Sequence, residues 1–123
     1  MSAPEQAEQG KRDRQVGVWL IGARGSVATT TITGACAVAR GLAPSTGIVT
    51  ADPELAHPEL PEIGDFVFGG HDVVETPLAM RDARLVDSGV VPPGLPEAVS
   101  RQLAAAEANI RPGIDWHHAR TEP

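Results

Sequence analysis

The chain has 123 residues, 41% of them hydrophobic, which is enough for one domain around one core and too little for a cofactor domain plus a separate substrate domain. Sixteen acidic residues against ten basic ones leave a net charge of -6 and argue against a nucleic-acid partner, because phosphate backbones are gripped by clustered Lys and Arg. A single cysteine, Cys36, builds no intrachain disulfide framework, and the longest uncharged run is broken by threonines, so a cytoplasmic chain with no membrane span is expected.

Residues 1–15 open with acids and small polar side chains and lack the basic start and apolar stretch of a secretory signal, so they are expected to form a disordered tail. The bases within Gly10 to Arg14 belong to that solvated terminus. Val16 to Ile21 is a short, nearly continuous apolar run ending at Gly22, the pattern of a strand buried on both faces of a parallel sheet. Ser26 is placed to cap a helix whose apolar positions Ala28, Ile32, Ala35, Cys36 and Ala39 share one face, and Gly41 supplies its stop. Cys36 is expected in the core.

Thr46 to Ala51 has β-branched character and leads into the turn signal Asp52-Pro53, which predicts a second strand. The order strand, helix, strand implies a parallel right-handed unit. Three prolines between Asp52 and Asp65 mark a surface loop, and Asp65 to Gly69 predicts a third strand. Thr76-Pro77 reads as a hydroxyl cap before a first-turn proline, opening a helix over Leu78 to Asp87 that closes at Gly89. After the break at Pro92 to Pro96, Leu95, Val99, Leu103, Ala106 and Ile110 repeat at helical spacing and stop before Pro112-Gly113. The fold class is therefore α/β: a Rossmann-like parallel sheet with flanking helices, incomplete at about three to four strands, over residues 16–115, with 116–123 a second tail.

Gly22-Ala23-Arg24-Gly25-Ser26-Val27-Ala28 lies between the first strand and the first helix, where a diphosphate would meet free backbone amides at the positive end of a helix dipole. The spacing is GxxGxxA rather than GxGxxG, with Arg24 and Val27 where glycines usually stand, and the competing reading is a tight turn that binds nothing. Gly22, Ala23, Arg24, Gly25, Ser26 and Val27 are the candidate phosphate contacts. The acid expected about 20 residues further on to hold a ribose is Asp52, with Glu54 beside it, or Asp72 beyond the third strand. For either aspartate the alternative is a helix cap or a solvated loop charge. His71 next to Asp72 carries too little geometry for a proton relay, and His117-His118 lacks a third ligand, so no catalytic or metal residue is assigned.

These residues resemble the N-terminal region of the inositol-3-phosphate synthase family, also called myo-inositol-1-phosphate synthase. Val18 to Thr30 is similar to the family's glycine-rich loop, GxGGNNGTT, agreeing at Gly22, Gly25, Thr29 and Thr30 and departing at Arg24, Ser26 and Val27. Asp65 to Val73 resembles the strand that ends in GGWDI, whose aspartate contacts the cofactor ribose; this favours Asp72 over Asp52, with His71 in place of the tryptophan. Leu78 to Arg84 and the later segment from Ala98 to the exit Arg111-Pro112-Gly113 follow the family's order.

The resemblance implies NAD as cofactor and conversion of glucose 6-phosphate to inositol phosphate by oxidation, aldol closure and reduction. It places substrate binding on lysines of a later catalytic domain, whereas the only lysine here is Lys11 in the tail. The chain alone is therefore expected to be inactive, as a fragment or degenerate product, with glucose 6-phosphate a partner only if a catalytic domain is supplied. An exposed sheet edge points to marginal stability or homo-oligomers. Two other readings are a standalone NAD(H)-binding regulatory module and the cofactor domain of an unrelated dehydrogenase.

Overall fold

The structure, a computed structural model, describes residues 2–6 and 14–115. The tail residues Lys11 and His117-His118 lie outside them. Residues 3–6 form one helical turn, closed by the Ser2 amide donating to Glu5 Oε2 at 2.9 Å.

Three strands, β1 (Val16–Ile21), β2 (Phe66–Asp72) and β3 (Ile110–Pro112), make a parallel sheet in the order β1-β2-β3. Val16 pairs with Phe66 and Ile21 with His71, while Gly70 pairs with Ile110. The expected α/β architecture with a short parallel sheet is what the chain adopts. Side chains alternate between two unequal faces. Val18, Leu20, Phe66, Phe68 and Ile110 turn into the core, whereas Trp19, Ile21 and Val67 stand 53%, 81% and 41% exposed. Helices thus cover only one face, and the expected burial of β1 on both faces does not occur. A continuous apolar run reports hydrophobicity and cannot count the layers packed upon it.

Helix α1 (Ser26–Ala39) has Gly25 as its N-cap, and Ser26 is its first residue rather than the expected cap. Its buried face is Ala28, Thr29, Ile32, Thr33, Ala35 and Ala37, with Cys36 half-buried and Ala39 exposed. At the far end Gly41, at φ +71°, lets its amide reach the Val38 carbonyl and that of Leu42 the Ala37 carbonyl, which satisfies two terminal acceptors as the sequence suggests.

The predicted strand over Thr46 to Ala51 is absent. Val49–Ala51 is a 3-10 turn, with the Ala51 amide on the Ile48 carbonyl, and Val49 is exposed. Between Gly47 at φ +88° and Asp52-Pro53 the segment curls instead of running along β1, and β-branching without a partner yields no strand.

Helix α2 (Leu78–Asp87) matches its predicted span, but no hydroxyl caps it: the Leu78 amide donates to Glu107 Oε2 at 3.2 Å. The predicted single helix from Leu95 is two, α3 (Leu95–Ala98) and α4 (Ser100–Ala108), joined at Val99. The Arg40 guanidinium donates to the Ala98 carbonyl beside this break. Leu103, Ala106 and Val99 are buried as the periodicity requires, while Ile110 opens β3 instead of closing a helix. Between α1 and α2 the fully buried Asp82 accepts a hydrogen bond from Thr33 Oγ1 at 2.7 Å on Oδ2, and its Oδ1 has no partner.

Two glycines let β2 pass through a crowded place. A Cβ at Gly70 would lie 2.0 Å from the Leu20 carbonyl oxygen and 2.8 Å from Ala23 Cβ; one at Gly69 would meet Trp19 Cζ3 and Asn109 at 3.0 Å. Both neighbours of β2 close in on Gly69-Gly70: no larger residue fits at Gly70, and at Gly69 the neighbours would have to give way.

Candidate functional site

The turn from Gly22 to Gly25 joins β1 to α1 at the carboxyl end of the sheet, the end at which open α/β sheets bind ligands. Gly22 sits at φ +84°, a conformation that a Cβ would strain. The Gly22 and Ala23 amides both donate to the His71 carbonyl, at 2.9 and 3.1 Å; the Arg24 amide donates to Asp72 Oδ2 at 2.8 Å, and that of Gly25 to the Gly22 carbonyl at 2.9 Å. Four turn amides are therefore committed, three to holding the turn on β2 and the fourth, that of Gly25, to closing the turn on itself.

The next three are not. The Gly25 carbonyl accepts the Thr29 amide at 2.9 Å, the first bond of α1, and no side chain caps the helix. Among the described residues, none accepts from the amides of Ser26, Val27 or Ala28. These are the orphan donors of a helix start, and the dipole of a 14-residue helix adds partial positive charge there. Ser26 and Val27 are exposed, which leaves the donors within reach of an anion.

Asp72 is the last residue of β2, not a loop residue beyond it. Besides Arg24, it accepts the Val74 amide on Oδ1 at 3.0 Å. Partial burial pulls its carboxyl upward, but the amides of Val74, Arg24 and Val73 and the Arg24 charge outweigh this and hold it below the usual aspartate range. It is ionised at neutral pH, and the carboxylate retains acceptor capacity for a hydroxyl donor. Asp52 instead accepts the Glu54 amide at 2.9 Å within its own loop, and no hydrogen bond ties it to the glycine turn.

The Arg24 side chain turns away from the helix start. Its Nη1 donates to Glu107 Oε1 at 2.6 Å and to the Thr76 carbonyl at 3.1 Å, with the two side chains only 13% and 31% exposed. Glu107 thereby joins the turn to the first amide of α2. Sequence reasoning missed it: 83 positions separate the pair, and an arginine inside a tight turn signals a carboxylate without saying which.

A cleft of about 480 Å³ opens at the strand ends between Gly22, His71 and Asp72 on one side and Pro112 and Gly113 on the other, with Ile21, Val73 and Ile114 as apolar walls. Trp19 Nε1 donates to His71 Nδ1 at 3.0 Å, ring centroids 5.0 Å apart and nearly perpendicular. A larger hollow, about 640 Å³, lies between Val16, Ile48 and Pro61, away from the glycine turn, so volume does not select the site. Among the described residues no three His, Cys, Asp or Glu groups converge on a metal position, and no helix is long and apolar enough to cross a membrane.

The family model described as myo-inositol-1-phosphate synthase, in its NAD-binding region, matches residues 16–114, about four fifths of the chain. The chain belongs to the myo-inositol-1-phosphate synthase family. A comparison with curated proteins gave no match. The synthase-family span starts at the first residue of β1 and ends just past β3, so the glycine turn, Asp72, Glu107 and the cleft all fall inside it. NAD is the cofactor of this region of the family.

Proposed function

We propose that the chain is the NAD-holding part of a cytoplasmic inositol-3-phosphate synthase-like enzyme, one that converts glucose 6-phosphate to 1D-myo-inositol 3-phosphate and is inactive without a catalytic domain. The observation that carries the reading is the set of three unsatisfied amides, Ser26, Val27 and Ala28, at an uncapped helix start facing the end of a parallel sheet. A diphosphate oxygen satisfies such donors with charge-assisted hydrogen bonds. Gly22, Ala23 and Arg24 serve by shaping the turn, because their amides are already bonded. Asp72 accepts from a ribose hydroxyl, and Ile21, Val73 and Ile114 shield the attached ring.

When bound, NAD would supply hydride-transfer chemistry, held by the Ser26, Val27 and Ala28 amides and Asp72. The chain's own residues bind and orient it. No lysine lies between residues 14 and 115, and the Arg24 guanidinium at the turn is already paired with Glu107.

Ser26→Pro tests the reading cleanly. Proline suits a first helical position, Gly25 is already extended (φ -73°, ψ 168°), and the Ser26 amide makes no bond among the described residues. The substitution removes one donor from the phosphate and nothing from the fold. NAD affinity is expected to fall about tenfold or more with an unchanged melting temperature; unaltered affinity would refute the phosphate position. Turnover of glucose 6-phosphate by the chain alone would refute the inactivity.

A further inference from the structure

Trp19 and His71 stand on the sheet face that no helix covers, offset by two residues along it, for Trp19 pairs with Gly69 and His71 with Ile21. The indole N–H is only a donor, so its 3.0 Å bond makes Nδ1 of His71 the acceptor and, in the neutral ring, leaves the proton on Nε2. Nδ1 faces back along the sheet toward Trp19. Nε2 is the ring's other nitrogen, and His71 lines the cleft at the strand ends beside Gly22 and Asp72. Among the described residues, none accepts from Nε2.

The arrangement is built rather than incidental. Gly69 is the residue that makes room for the indole, since a Cβ there would sit 3.0 Å from Trp19 Cζ3. The His71 carbonyl, meanwhile, holds the Gly22 and Ala23 amides, so the imidazole is fixed to the same unit as the turn. We propose that His71 contacts the bound dinucleotide by donating its Nε2–H to an oxygen of the sugar–phosphate spine, and that Trp19 is the positioning residue that sets the tautomer and the ring angle. This rests on the NAD site described under Proposed function. The donor is neutral, and it takes the position filled by tryptophan in the GGWDI motif that this strand resembles.

Calorimetric titration of NAD into the full chain and its variants tests the proposal, with 15N spectra of the imidazole reading the tautomer. His71→Phe is expected to weaken binding about tenfold and Trp19→Phe about threefold, whereas His71→Gln, which places an amide N–H near Nε2, stays close to the parent. Trp19→Phe added to His71→Phe costs nothing further, because a positioning residue acts only through its ring. Parent spectra show Nδ1 unprotonated and Nε2 protonated, and Trp19→Phe mixes the two tautomers. His71→Phe binding as tightly as the parent, or a parent with the proton on Nδ1, overturns the inference while the NAD site stands, provided Ser26→Pro still weakens binding. If the parent fails to bind NAD up to millimolar concentration, the site reading fails and takes this inference with it.

Discussion

Replacing Glu107 by Gln isolates the contact that fastens the glycine turn to the helical layer. One carboxylate oxygen accepts Arg24 Nη1 at 2.6 Å and the other accepts the Leu78 amide at 3.2 Å. An amide at this position offers one acceptor and one donor, so either the guanidinium or the first amide of α2 meets an N–H instead of an oxygen. Arg24, only 13% exposed, also loses its counter-charge. A hydrogen bond to a charged group contributes about 1.5 to 3 kcal/mol, and a helix-start interaction about 0.3 to 1 kcal/mol. With Glu107 near one-third exposed, the lower part of that range applies, giving a loss of about 2 kcal/mol. For a domain of this size that lowers the melting temperature by roughly 10 °C. Urea unfolding followed by far-UV circular dichroism measures the loss. Because the pair is partly buried, salt should weaken it less than a fully exposed one. The double variant Arg24→Met with Glu107→Gln should recover about 1 kcal/mol, since no uncompensated charge then remains buried. A Glu107→Gln midpoint indistinguishable from the parent would show that the bridge contributes nothing and that the turn is held by β2 alone.

Other consequences are checked by the same unfolding assay. Asp82 is raised by burial and further by Glu97, against the Thr33 hydrogen bond that lowers it; its folded value exceeds the unfolded one, so its contribution is fully present below about pH 4 and is lost as pH rises through the folded value. Asp82→Asn should therefore raise the urea midpoint at mildly alkaline pH and flatten the pH profile; an unchanged profile would refute the assignment. Asp72 has the opposite sign: its depressed carboxyl stabilises above the unfolded value and stops doing so as pH falls through the folded one, so Asp72→Asn should remove part of the acid limb. Gly70→Ala should prevent folding, because its Cβ has no room beside the Leu20 carbonyl, while Gly34→Ala, which meets nothing within 4 Å inside α1, should add about 1 kcal/mol.

The parts of this structure legible in the sequence are those fixed by local chemistry. An apolar run before Gly22, helical periodicity from Ser26, and Gly41 and Gly89 as stops mark β1, α1 and the end of α2 without any knowledge of partners. Gly69-Gly70 gave the motif its resemblance, but the reason for two glycines is tertiary: Leu20, Trp19 and Asn109 come within touching distance of them. Thr46 to Ala51 misled because strand propensity counts only where a neighbouring strand is available. Val99 interrupts a periodic segment without a proline or glycine at the break, and the apolar spacing stays helical across it. Glu107 and the Trp19–His71 pair were invisible because their contacts depend on sheet register and helix docking, separated by 83 and 52 positions. The direction of the Arg24 side chain was not legible either, since its anion, Glu107, is brought to the turn only by the docking of α4.

The clamp on the turn also governs when a ligand can be held at all. Residues 22–25, 71–72 and 107 meet only after the chain has assembled β2 on β1 and laid α4 against them, so a denatured or half-folded chain has no cradle to offer. Dinucleotide then acts as a mass-action brace, deepening the native well in proportion to the logarithm of its concentration.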